Sequence, residues 1–148
     1  MHRTAAVLSA LLLTAAPAIA DDFVTLDAEG SVTETADRLV AAVEQAGATV
    51  FARVPHSKGA ESVGMELQDA ELVIFGNPKL GTPALQEDIR AGLVLPLRVL
   101  VHDDGGQTRI TYEEVDDMFD DLDIDDDAEF VDQMKGALET LTTAAAGS

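Results

Sequence analysis

Gly76-Asn77-Pro78-Lys79-Leu80-Gly81-Thr82 is the segment whose residue types and spacing bear most on chemistry. If a helix opens after Thr82, its first peptide N–H groups and the nearby Lys79 ammonium could hold a carboxylate, sulfate or phosphate. The Gly76-to-Gly81 spacing imitates the start of a nucleotide phosphate loop. The lysine that must follow the second glycine is Thr82, however, and Pro83 comes next, so that motif fails. Asn77, Lys79, Gly81 and Thr82 therefore stand as candidate ligand-binding residues. The same residues also read as a structural corner, because Gly admits positive φ, Pro78 and Pro83 fix φ, and Thr82 caps. Both readings stay open.

His56 is the best single functional side chain, with Glu61 five residues on and Glu66 after an expected reversal. A histidine beside carboxylates can bind a metal or move protons. A mature chain with two histidines cannot build a three-histidine site. A set of His56, Glu61 and Glu66 would be oxygen-rich and weak. His56 acting as a base in a hydrolase or isomerase is a third alternative. His102 precedes a turn and is expected to face solvent. No nucleophile is set up: Ser57 follows His56 directly, neighbouring side chains of an extended chain point apart, and no Gly-x-Ser-x-Gly elbow occurs. Asp121, Asp123 and Asp125 match the opening of a calcium loop. Asp126 replaces the glycine that loop needs and Asp132 its closing glutamate, so an EF-hand is rejected.

Composition narrows the classes. There is no cysteine, which excludes disulfides, cysteine-based metal sites and covalent haem. Tryptophan is absent, and Tyr112 with five Phe gives little surface for base stacking. The net charge of −19 repels nucleic acid and anionic membranes, leaving small molecules, cations or protein partners. Residues 1–20 read as a signal peptide, with His2 and Arg3 before an apolar run and Ala18-Ile19-Ala20 as a small-x-small cleavage site. The apolar run is too short for a membrane anchor. The expected product is periplasmic or secreted, cut between Ala20 and Asp21, with 128 of the 148 residues remaining.

The elements that must position these residues follow from periodicity. Asp22 to Ala28 alternates as a strand. Ser31 and Glu34 have capping-box spacing ahead of a helix over Val32 to Ala46, which Gly47 stops. Thr49 to Val54 reads as a strand with Val50, Ala52 and Val54 facing one way. Ser57 to Val63 suits one helical turn, and Met65 to Leu67 a short strand before Leu72 to Phe75. Thr82 as N-cap and Pro83 at the first helical position predict a helix over Pro83 to Ala91. Leu93 to His102 reads as a strand with Pro96 marking an edge or bulge. Asp103 to Gly106 turns it into a partner over Gln107 to Tyr112. An acidic loop over 113–127 and a final helix at about 128–145 complete residues 21–146 as one unit. Its class is α+β, with a mainly antiparallel sheet, in the order roughly β-α-β-β-(α)-β-β-α.

Certain residues fall in a familiar order: Glu34-Thr35, Gly47, Phe51, Val54-Pro55-His56, Gly64-Met65-Glu66-Leu67, Leu72 through Pro78, Gly81-Thr82, Leu95-Pro96-Leu97-Arg98 and Tyr112. Over about Val32 to Tyr112 the chain resembles the bacterial family catalogued as domain of unknown function 302. The resemblance implies a TATA-binding-protein-like fold, a curved antiparallel sheet with helices on one face, and carries no implication of DNA binding. The chain departs from the family pattern at Pro55, where an Asp is usual before the histidine, and at Asp69-Ala70 and Pro83-Ala84-Leu85. The expected function is non-catalytic binding of a small anionic ligand or a metal ion near residues 55–56, 66 and 76–82. The alternative is an envelope interaction module, either a homodimer or an accessory subunit, in which the loop is purely structural.

Overall fold

The computed structural model describes residues 22–147, so the expected export segment and its cleavage point lie outside the described residues. In chain order the elements are β1 (Phe23–Asp27), α1 (Val32–Gln45), β2 (Thr49–Pro55), α2 (His56–Ser62), β3 (Ala70–Gly76), α3 (Pro78–Glu87), a 3-10 turn (Ile89–Leu93), β4 (Leu97–Asp104), β5 (Gln107–Glu113), α4 (Val115–Phe119) and α5 (Glu129–Ala146). The strands form one five-stranded sheet ordered β1-β5-β4-β3-β2, and every neighbouring pair is antiparallel. The expected α+β class with an antiparallel sheet is what the chain adopts.

Strand alternation divides the sheet into two faces. Val24, Leu26, Ile110, Val99, Val101, Val73 and Phe75 share one face through their registers, and α1 and α5 lie over it and against each other. Leu39 and Val43 from α1, with Val131, Met134 and Leu138 from α5, close the core there. On the opposite face Leu72, Ile74, Leu100 and Thr111 are only half-buried. The α1 capping box forms as expected: Ser31 Oγ accepts from Glu34 N–H, and Glu34 Oε2 accepts from Ser31 N–H at 2.9 Å. The Ser31 backbone N–H, and after it the Ser31 hydroxyl, both donating to Glu34 Oε2, hold the Glu34 carboxyl below its ordinary pKa.

Several local expectations are corrected. In β2 the register shifts between Val50 and Ala52, so the extra residue Phe51 makes a bulge. Val50 consequently pairs with Phe75 on the helix side, whereas Ala52 and Val54 pair with Ile74 and Leu72 on the other. The helix after β2 begins at His56 itself and runs for 7 residues. Met65 to Leu67 forms no strand: Gly64 turns the chain at φ 74° and the segment leaves the sheet, its side chains exposed. Helix α3 starts at Pro78 rather than Pro83, because Asn77 caps better than Thr82 and already has a proline behind it. Pro96 stands just before β4, and β4 is a central strand; Ile89 to Leu93, expected as the end of a helix, its stop at Gly92 and the first strand residue, coil into the 3-10 turn. The acidic loop contains α4, since Val115, Met118 and Phe119 at i, i+3, i+4 bury one face.

Candidate functional site

Strands β2 and β3 decide how the candidate residues are grouped. Thr49 pairs with Gly76 at one end of the ladder and Pro55 with Glu71 at the other. At about 3.3 Å per residue along β3 these ends are roughly 17 Å apart. His56 and Glu66 therefore belong to one end, and the Asn77 to Thr82 segment to the other. Two separate concavities result.

The His56 end holds an open cleft of about 510 Å³, to which Glu61 of α2 and Glu66 of the following segment contribute. His56 is exposed at the first position of α2 and is not part of the cleft wall. Among the described residues no group of three or more His, Asp or Glu could hold a metal ion, so His56, Glu61 and Glu66 do not assemble as a ligand set. The organised polar feature here includes two residues of the cleft wall, Thr33 and Glu71. Arg53 reaches Asp37 Oδ1 of α1 at 2.6 Å, and its Nε donates to Glu71 Oε2 at 3.0 Å. Thr33 Oγ1 donates to the other Glu71 oxygen at 3.1 Å. Bonding to Asp37 first, and to Glu71 second, raises the Arg53 pKa further above its ordinary value. This network fastens α1 to the edge of the sheet.

The Gly76 end is a hollow of about 290 Å³. Its wall is mostly hydrocarbon: Phe51 from the β2 bulge, Leu80 and Leu85 from α3, Leu95 before β4 and Leu97 at its start, and Met134 from α5. Gly76, Gly81 and Gly92 also line it, and none of the three has positive φ. They are therefore not turn glycines; what they provide is room. A Cβ at Gly76 would stand 3.3 Å from Phe51 Cε2, and one at Gly92 would stand 3.2 Å from Leu85 Cδ2. A Cβ at Gly81 would meet Leu95 Cδ1 at 4.0 Å.

The polar groups of the Gly/Pro segment are otherwise placed than the sequence implies. Asn77 Oδ1 accepts from Lys79 N–H at 3.0 Å, and Asn77 O accepts from Leu80 N–H at 2.9 Å and Gly81 N–H at 3.0 Å. Pro78 has no N–H, so the first turn of α3 keeps no free donor for an anion. Thr82 sits within the helix, exposed on the rim of the hollow. Lys79 is exposed between the lining residues Pro78 and Leu80. His102 lies on β4, half-buried, with Nε2 3.0 Å from Thr111 Oγ1.

Sequence reasoning missed Phe51, Leu85, Leu95 and Met134 as lining residues. No local signal marks them, because they come from four distant segments that only the tertiary fold assembles. Asp88 was also missed: nearly buried at the end of α3, it accepts from Arg90 Nε at 3.0 Å and from Asp123 N–H at 3.1 Å. Its carboxyl pKa is held far below the ordinary range, chiefly by the Arg90 guanidinium and then by the Asp123 N–H. It ties the 3-10 turn beneath the hollow to the acidic segment.

A family model described as "Domain of unknown function DUF302" matches residues 24–141. The crystal structure of an uncharacterised conserved DUF302 protein from Bacillus stearothermophilus superposes with a TM-score of 0.78 at 19% identity, covering 85% of this chain and 99% of that one. Among curated proteins, 82 residues are 44% identical to part of "Fluoride-specific ion channel FluC 1" of Brucella suis biovar 1, covering 55% of this chain and 32% of that protein. A counterpart from Brucella abortus biovar 1 is likewise 44% identical, over 30% of its length. The chain thus spans about a third of the curated relatives it matches.

Proposed function

The chain belongs to the DUF302 family, and on that premise we propose that it is a non-catalytic binding domain whose small-molecule site is the hollow between the β2 bulge, α3 and α5. One observation carries the reading. Three glycines without positive φ line a mostly hydrocarbon concavity, and a Cβ at each would come within 4.0 Å of a wall side chain, Phe51, Leu95 or Leu85. Ligand sites are concave, mostly apolar and supplied with a few polar groups at the rim. At about 290 Å³ the hollow lies just below the usual range of roughly 300–1,000 Å³. A cavity of about 150 Å³ takes benzene, so this one suits a body of about two fused rings or a chain of eight to ten carbons. The test is Gly81→Leu, whose side chain would grow toward Leu95. Calorimetric titration with 2-naphthalenemethanol should show binding to the parent and at least a tenfold loss in the variant. Unchanged binding would remove the hollow as the site.

The reading includes export, supported by the composition of residues 1–20 and by a net charge that suits neither nucleic acid nor anionic lipid. Sequencing the N-terminus of secreted material tests it, with Asp21 expected first. A second reading is favoured by the relatives: a segment 44% identical to part of proteins named as fluoride-specific ion channels suits an accessory module that docks beside another envelope protein or with its own copy. Light scattering of the purified chain from micromolar to millimolar concentration separates these. A constant monomer mass opposes self-association, and a concentration-dependent dimer supports it.

A further inference from the structure

We infer that the ligand of this hollow is an amphipathic monoanion, an aromatic or aliphatic acid, with its body among the leucines and its acid group on the Lys79 ammonium at the rim; the inference rests on the binding reading above. Lys79 carries it. In a chain with 28 acidic residues against 9 basic ones, most cations are claimed. Arg53, Arg90, Arg98, Arg109 and Lys135 each pair with a carboxylate. Arg38 is spent on the backbone oxygens of Ala145 and Glu29. Among the described residues Lys58 and Lys79 have no carboxylate within 4.0 Å; Lys58 belongs to the wall of the cleft at the His56 end, whereas Lys79 is set on the first turn of α3, between two residues that line the hollow.

The rest of the rim agrees with this class. The helix terminus contributes no free N–H, so an acid group must be met by a side chain, and Lys79 Nζ with Thr82 Oγ1 one turn on are the donors that α3 presents. The wall supplies no carboxylate: its polar side chains are Asn77 and Thr82. A cationic ligand would therefore have no partner in the hollow itself. The overall negative charge opposes an anion only at long range. At about 0.15 M salt the screening length is near 8 Å, so a contact pair with Lys79 outweighs the distant acids.

The experiment uses three probes with one body: 2-naphthoate, 2-naphthalenemethanol and 2-naphthylmethylammonium. Each is titrated into the full chain, Lys79→Met and Gly81→Leu in 0.15 M salt. The expected order in the parent is acid, then alcohol, then ammonium. Acid should exceed alcohol by about fivefold, the upper size of an exposed ion pair. In Lys79→Met the acid should fall to the level of the alcohol while the alcohol is unchanged. Gly81→Leu should abolish all three. Equal binding of acid and alcohol, with Lys79→Met silent and Gly81→Leu blocking both, would overturn the anion class and leave the binding site standing. No binding of any probe to the parent would overturn both. Preferred binding of the ammonium probe would overturn the inference outright.

Discussion

Replacing Gly81 by Ala should stabilise this protein, and the size of the gain follows from the geometry. Gly81 is the fourth residue of α3, and its N–H donates to Asn77 O at 3.0 Å in ordinary helical fashion. Its φ is not positive, so alanine adopts the same backbone without strain. Alanine is favoured over glycine inside a helix by about 0.8–1.0 kcal/mol. The added methyl meets Leu95 Cδ1 at 4.0 Å, an ordinary contact. Half-burying one methyl adds about 0.4 kcal/mol. The sum, about 1.3 kcal/mol, corresponds to a rise in Tm of roughly 3–6 °C for a chain of this length. Gly92→Ala is the internal contrast, because its methyl would stand 3.2 Å from Leu85 Cδ2 and push that side chain. It should be neutral or destabilising by about 1 kcal/mol. Scanning calorimetry of the parent and both variants decides. If Gly81→Ala lowers Tm by several degrees, residue 81 occupies a turn that only glycine tolerates, and the helical account of this segment is wrong.

Asn77→Ala removes the side-chain cap of α3 and should cost about 1 kcal/mol, read as a lower urea midpoint; no change would mean the cap contributes nothing. Asp88 has a folded pKa below its ordinary value, so its stabilising contribution is complete above the usual carboxylate range near pH 4 and is lost as pH falls toward the folded value. The Tm gap between parent and Asp88→Asn should therefore be constant above about pH 5 and shrink below pH 4; a gap independent of pH refutes that assignment. With a net charge of −19, self-repulsion should relax with salt, and Tm should climb between 0.01 and 0.15 M NaCl as the screening length falls from about 30 to 8 Å; a flat profile would show the charges too dispersed to matter.

Legibility in the sequence followed the range of the interactions involved. The α1 capping box, the hairpin over Asp103 to Gly106 and the amphipathic stripe of α5 are set by residues within a few positions of one another, and each formed where its pattern lies. The start of α3 was misplaced because two Asn/Thr-Pro pairs compete five residues apart, and the earlier one wins through the Asn77 side-chain cap together with the packing of Leu80 against the core. The bulge at Phe51 has no signature in a run of alternating residues; it arises from matching the ladder to β3 while presenting Arg53 to Asp37 and Glu71. The candidate site was read as one pocket because Pro55-His56 and Gly76-Asn77 flank the same two strands. Those strands are extended and antiparallel, so the two segments fall at opposite ends. Polar residues near Gly and Pro suggested an anion cradle built from backbone N–H groups, whereas those groups are consumed by the cap and the hydrocarbon wall comes from α3, α5 and the segment before β4.

The most direct test of the central claim is an amide-shift map of the isotope-labelled chain titrated with 2-naphthoate. The account predicts saturable shifts at the amides of Phe51, Gly76, Gly81 and Gly92, with little change at His56, Glu61 and Glu66. Saturable shifts confined to the His56 end, or to the half-buried sheet face around Leu72 and Leu100, would contradict it.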